Sequence, residues 1–132
     1  MATLTPTLTL VSAAGQSATG EALSLSVTDT LTITSPSIGL SKYTATTTGG
    51  DNIIVPNVDA RRYFYCYHTG KDSGGSIITT DLKIEEGDGN WFSLLAPYEF
   101  LWVPLNANGA HKIQIEATGG TIVAEYAYWT KG

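Results

Sequence analysis

The run His111-Lys-Ile-Gln-Ile-Glu-Ala-Thr-Gly-Gly-Thr-Ile-Val-Ala-Glu-Tyr-Ala-Tyr-Trp-Thr130 decides the fold class. Ile113 and Ile115 share one parity, against Lys112, Gln114 and Glu116 on the other. Beyond Thr118-Gly119-Gly120, Ile122, Ala124, Tyr126 and Tyr128 alternate with Val123, Glu125, Ala127 and Trp129. Successive side chains leave a strand on opposite faces, so apolar residues at every second position mark a half-buried strand. Two such runs about a Gly-Gly pair predict a β-hairpin, and with it an antiparallel sheet with one packed and one solvated face.

Upstream, Trp91 to Pro97 and Tyr98 to Pro104 are apolar at nearly every position, so both faces of these strands are expected to be covered, one by the core and one by a lid or partner. Arg61 to Thr69 is an aromatic strand carrying Tyr63, Tyr65 and Tyr67 on one parity and Arg62, Phe64, Cys66 and His68 on the other, with Phe64 and Cys66 facing inward. Shorter strands are expected over Ile38–Thr48, Asn52–Pro56 and Ser76–Ile84. Turn chemistry separates them at Ser35–Ser37, Gly49-Gly50, Asn57–Asp59, Gly70–Gly75, Asp88-Gly89 and Asn106–Gly109.

The cleanest alternation runs from Leu23 to Thr34, with Leu23, Leu25, Val27, Leu31 and Ile33 in phase and Asp29 on the same parity between them. A carboxylate turned into a core is costly, so a bulge or bend is expected at Thr28-Asp29, or else a position at the rim. At the start of the chain Leu4, Leu8 and Leu10 are in phase with Pro6, which has no N–H to donate to a ladder. Residues 1–20 therefore read as an extended N-terminal arm or an edge strand, and residues 21–132 as a single domain. With eight or nine strand candidates and no run of helical period, the chain reads as all-β: an antiparallel β-sandwich, jelly-roll-like, with an N-terminal arm.

Composition removes several functions. The 132 residues carry a net charge of −5, whereas a nucleic-acid binder needs clustered Lys and Arg to displace counterions. The same balance opposes adsorption to an anionic membrane, and no apolar run approaches the length of a membrane helix. The N-terminus shows no secretory signal, and the single Cys66 cannot form an internal disulfide, which places synthesis in a reducing cytoplasm. Charged residues are only 14%, with Thr and Ser in their place, as suits a neutral surface partly covered by neighbours.

Chemistry is hard to assemble from what remains. His68 and His111 lie in no H-x-x-x-H or H-E-x-x-H pattern, and one cysteine makes no thiolate cluster, so neither metal nor cofactor is expected. The acidic turn Glu85 to Asn90 lacks the spacing of a calcium loop. No nucleophile elbow, phosphate loop or dinucleotide motif occurs; Glu85, Glu99 and Glu125 could be assembled into a glycosidase pair, but most of them read as solvent-facing. The chain reads as non-enzymatic. A carbohydrate-binding module remains the rival, with Trp91, Trp102, Trp129 and the Tyr ladder as a stacking platform.

One resemblance adds to this. An acidic Gly turn, then Trp91-Phe-Ser-Leu-Leu-Ala-Pro-Tyr-Glu-Phe-Leu-Trp-Val-Pro-Leu105, a short Asn/Gly loop, and an Ile-x-Ile-x-Ala-x-Gly-Gly-Thr stretch closing on Glu125-Tyr-Ala-Tyr-Trp129 resemble the capsid cement or decoration proteins of tailed bacteriophages. The likeness covers about the last third of the chain and consists of turn-and-strand patterns. It implies a jelly-roll-like virion protein on the capsid exterior that bridges major capsid protein subunits and self-associates as a homodimer or homotrimer, or alternatively a tail or fibre component. Leu4, Leu8 and Leu10 of the arm, with Arg61, Arg62 and Trp102, are the expected contacts, the arm adding a strand to its partner.

Overall fold

The computed structural model describes residues 2–14, 19–35, 40–48, 53–55, 61–86, 90–105 and 112–131. The turns expected at Pro36-Ser37, Gly49-Gly50, Asn57–Asp59, Asp88-Gly89 and Asn106–Gly109, and His111, lie outside them. The described residues contain strands and no helix, and their sheets are antiparallel. The chain divides into two compact units, residues 1–35 and 36–131.

In the first unit, β1 (Ala2–Leu4) pairs with β4 (Leu31–Ser35), and β2 (Thr7–Val11) pairs with β3 (Ser24–Thr28). The two ladders keep one register. Leu4 faces Leu31, Thr7 faces Thr28 and Val11 faces Ser24, so partner numbers always total 35. Ser12 N–H donates to the Leu23 carbonyl at 2.9 Å and continues the series. The result is one two-stranded ribbon, interrupted only where Pro6 and Asp29 meet. Proline has no N–H to give there, and its carbonyl accepts from Asp29 N–H at 3.1 Å. The Asp29 carboxylate accepts from Thr30 N–H at 2.7 Å, which bends the chain between β3 and β4 and keeps the charge exposed. The long Leu23–Thr34 alternation is thus split at Asp29, as its parity demanded. Within the segment read as an N-terminal arm or edge strand, β2 pairs with β3 of the same chain.

In the second unit the pairings nest. β5 (Ser41–Ala45) pairs with β12 (Ile122–Lys131), β6 (Ile53–Val55) with β11 (Ile113–Ala117), β7 (Arg62–His68) with β10 (Phe100–Leu105), and β8 (Leu82–Glu86) with β9 (Asn90–Leu95). β7 also joins β12 and β8 also joins β11, which gives the lateral orders β5-β12-β7-β10 and β6-β11-β8-β9. Phe64, Cys66, Ile84, Ile115, Ile122 and Ala124, drawn from both sets, belong to one buried apolar cluster.

The hairpin expected about Thr118–Gly120 does not form. β11 is flanked on both edges by β6 and β8, so it has no ladder position to offer β12. Thr118 is instead pinned to the start of β8: its N–H donates to the Asp81 carbonyl at 2.9 Å, and its hydroxyl oxygen accepts from Asp81 N–H at 2.9 Å. Gly120, at φ 64°, then turns the chain into the other set of strands. Alternation reports which face of a strand is buried, not which strand lies beside it.

β9 and β10 end their respective sheets and are joined by the corner Ala96–Glu99. His68 N–H donates to the Glu99 carbonyl and Tyr98 N–H to the His68 carbonyl, both at 2.9 Å. Tyr98 has φ 71°, an unfavourable region for a side-chain-bearing residue, and its ring lies over Gly70. A Cβ at Gly70 would stand 2.5 Å from the ring carbons, and Gly70 itself has φ 72°. Gly70→Ala is therefore expected to lower stability by about 1–3 kcal/mol in urea unfolding, since the ring must move and the backbone is strained. A neutral effect would show that Tyr98 rests there without constraint.

Candidate functional site

The ribbon sorts its residues by face. Leu4, Leu8 and Leu10 share a parity, and their cross-strand partners are Leu31, Val27 and Leu25. The opposite face pairs Thr3 with Thr32, Thr7 with Thr28 and Thr9 with Ser26, and the Thr7 and Thr28 hydroxyls lie 3.0 Å apart. Burial along the apolar face is uneven. Leu31 and Ile33 are buried and Leu4 is half-buried, but Leu8, Leu10, Leu25 and Val27 are exposed at 47%, 44%, 40% and 53%. The half of the ribbon beyond Pro6 and Asp29 thus presents an open aliphatic face. Two strands alone are marginal in water, so such a face gains most from being covered. Of the expected arm contacts, Leu8 and Leu10 lie on this face and Leu4, half-buried, pairs with Leu31 on the near side of Pro6. Leu25 and Val27, which complete this face, were not among the expected contacts. The signal was present in the facing run, whose parity matches.

The second unit carries a different surface. In β7, Arg62, Phe64, Cys66 and His68 are buried on one parity; on the other, Tyr63 is buried and Tyr65 and Tyr67 are half-buried. Register places Trp129 of β12 beside Tyr63, and Trp102 and Ala127 on either side of Tyr65. The Tyr63 and Trp102 rings stack at 5.8 Å with planes 7° apart, and Trp102 meets Trp129 at 5.4 Å. Trp129 is tilted 46° against Trp102, so the three rings do not share one plane. Trp102, expected as a contact, is half-buried in this stack. Burial, and after it the charge of Glu125, raises the Tyr65 phenol above its ordinary range.

At the end of that stack a concavity of about 300 Å³ is lined by Arg61, Arg62, Tyr63, Pro104, Leu105 and Lys131. The structure thus brings Arg61 and Arg62 together with a third cation distant in sequence. Their roles differ. Arg61 is exposed, whereas Arg62 is 4% exposed and its guanidinium lies 5.9 Å from the Tyr128 ring centre. Burial lowers the Arg62 pKa, and Tyr128 opposes that shift.

No cluster of three His, Cys, Asp or Glu able to hold a metal occurs among the described residues. His68 is buried with both ring nitrogens engaged: Nδ1 accepts from Gly70 N–H at 3.0 Å, so Nε2 carries the proton that it donates to the Thr80 carbonyl at 2.9 Å. Asp72 is similarly occupied, its carboxylate accepting from Gly74 and Ser76 N–H at 2.8 Å each. No described helix is long and apolar enough to cross a membrane. The fold and surfaces define an all-β protein of antiparallel sheets with an exposed aliphatic ribbon. No protein-family model, curated protein or solved structure matches the chain.

Proposed function

We propose that this chain is a non-enzymatic structural protein of a tailed-phage virion, which binds the outside of the capsid and stabilises the shell by bridging major capsid protein subunits. The observation that carries this reading is the ribbon face of Leu8, Leu10, Leu25 and Val27, aliphatic and open on a chain of few charges. A face of four aliphatic side chains is small against the roughly 1,000 Å² of a durable contact. Repetition over a shell supplies the missing strength, because many weak contacts made together act with high avidity. The edges of the β2–β3 pair, which have no further strand neighbour among the described residues, also allow the strand addition expected of the arm.

The architecture we infer is a jelly-roll β-sandwich. Its support is the nested pairing of β5 with β12, β6 with β11, β7 with β10 and β8 with β9, which is a four-strand-long hairpin rolled until β7 meets β12 and β8 meets β11. The apolar cluster shared by both sheets supplies the sandwich core.

The test compares phage particles with and without the protein under heat and osmotic shock. Loss of DNA at milder stress in its absence supports the reading, and equal robustness overturns it. In binding assays with intact shells, Leu8→Asp combined with Leu10→Asp is expected to weaken attachment by at least about 30-fold, the scale of a hot-spot loss. Far-UV circular dichroism should not change. Undiminished attachment would remove the ribbon from the contact. Labelled particles separate the alternatives, since a coat covers the shell and a tail or fibre part marks one vertex.

A further inference from the structure

We propose that the exposed edge formed by β9, the Ala96–Glu99 corner and the start of β10 is the contact between two copies of this chain, with β9 pairing antiparallel to its own mate across a two-fold axis. The inference stands independently of any shell. β9 and β10 both end their sheets, so two edges that have no further strand neighbour among the described residues converge at one corner. Trp91, Phe92, Leu94, Tyr98 and Phe100 are exposed there at 58%, 44%, 45%, 54% and 61%. An apolar edge strand left open is a template for pairing with another chain, and native proteins blunt such edges with charge, proline or a bulge. Here β9 carries neither a charged residue nor a proline; its one register shift against β8, at Phe92, is the single such device in the strand, and it leaves Phe92 itself exposed.

The strained backbone at Tyr98 is a second observation. Held by His68 and Glu99 and backed by Gly70, Tyr98 keeps one side of its ring against the chain while more than half of its surface stays open. Glu99 braces the corner by accepting from Ala96 N–H at 2.9 Å. Local strain that does not serve the core is commonly kept where it presents a group to a partner.

Area and charge select the occupant. At about 200 Å² per aromatic side chain and roughly half exposure, the four rings offer about 400 Å² per copy. With Leu94 and the strand edges, a symmetric pair reaches the roughly 1,000 Å² that a specific contact needs. A two-fold axis presents the same patch twice, so the edge is its own complement. Antiparallel pairing also keeps like charges apart. Glu85 and Glu86 lie opposite Trp91 and Asn90, at one end of β9. In the pair these acidic ends sit roughly 20 Å from each other, the length of the strand. That exceeds the screening length of about 8 Å at physiological salt. Parallel pairing would bring them side by side.

Sedimentation velocity over a concentration series tests this. The full chain is expected to be a dimer with a micromolar dissociation constant, and Trp91→Lys combined with Leu94→Lys is expected to weaken it by about 30-fold or more. The ribbon variant Leu8→Asp with Leu10→Asp should dimerise as the wild type does. A wild-type chain that stays monomeric, a trimer or larger ring, or an edge variant that dimerises undiminished overturns the proposal. So does a dimer lost in the ribbon variant. Should the edge variant not fold, amide hydrogen exchange on the wild type decides: protection of β9 that rises with concentration supports the contact, and protection independent of concentration overturns it.

Discussion

Phe64→Ala is expected to lower unfolding stability by about 3–5 kcal/mol, the usual cost of truncating a fully enclosed aromatic. Phe64 is completely buried at the middle of β7, with Tyr128 of β12 and Val103 of β10 as its lateral partners. Close-packed interiors relax only partly around a missing ring, so a cavity term adds to the lost transfer free energy. Total stabilities of domains lie near 5–15 kcal/mol, so this one change removes a large fraction. In thermal melts it should appear as a fall of roughly 10–20 °C. Phe100→Ala is the control, because Phe100 is 61% exposed and its loss should cost under about 1 kcal/mol in the isolated chain. Equal losses for the two variants would contradict the assignment of inner and outer faces.

That assignment was legible before any coordinates. The parity of Arg62, Phe64, Cys66 and His68 against Tyr63, Tyr65 and Tyr67 is what the sheet shows. So is the break at Asp29, where a carboxylate in an apolar phase could not be carried through a ladder. All-β class follows from the same periodicity. What alternation cannot encode is which strand lies beside which, because ladder hydrogen bonds are made by a backbone common to all residues. β11 and β12, contiguous about Gly119-Gly120, part into different sheets for that reason. The partner of the N-terminal run was hidden likewise. Only the facing of Pro6 and Asp29, two ladder breakers at one register position, marks the pairing of residues 2–11 with 24–33.

The expected contact residues divide along the same line. Leu8 and Leu10 share one parity of β2 and are exposed. Arg61 and Arg62, adjacent in sequence, differ because strand geometry turns neighbours to opposite faces. Lys131 joins them through the pairing of β12 with β7, and no local pattern announces that. The apolar stretch 91–104 was expected to be covered on both sides. Its exposed side chains Trp91, Phe92, Leu94, Tyr98 and Phe100 lie on or beside the sheet-edge strands β9 and β10.

Cys66 leads to the second large effect, on thiol reactivity and on stability in alkali. The side chain is fully buried between Leu101 and Tyr126 on the flanking strands. Burial pushes the thiol up from 9.0 to about 12, against a smaller opposing effect of a hydrogen bond from the Tyr67 backbone. A three-unit rise cuts the thiolate fraction near pH 8 about 1,000-fold, and only the thiolate is nucleophilic. Alkylation by iodoacetamide should therefore be at least about 1,000-fold slower in the native protein than in denaturant. Labelling at the denatured rate would show that Cys66 is accessible. The same shift sets a pH dependence. Between about pH 9 and pH 12 the unfolded chain has lost this proton while the folded chain keeps it, so stability falls as pH rises. The loss reaches roughly 2 kcal/mol near pH 10.5. The Tyr65 and Tyr126 phenols, raised first by burial and then by Glu125 and Tyr128 respectively, act in the same direction from about pH 10 upward. In urea titrations across this range, Cys66→Ala should start lower near neutrality because it leaves a small cavity, then decline less steeply from pH 9. Parallel curves for the variant and the wild type would remove Cys66 from the alkaline transition and leave it to the tyrosines.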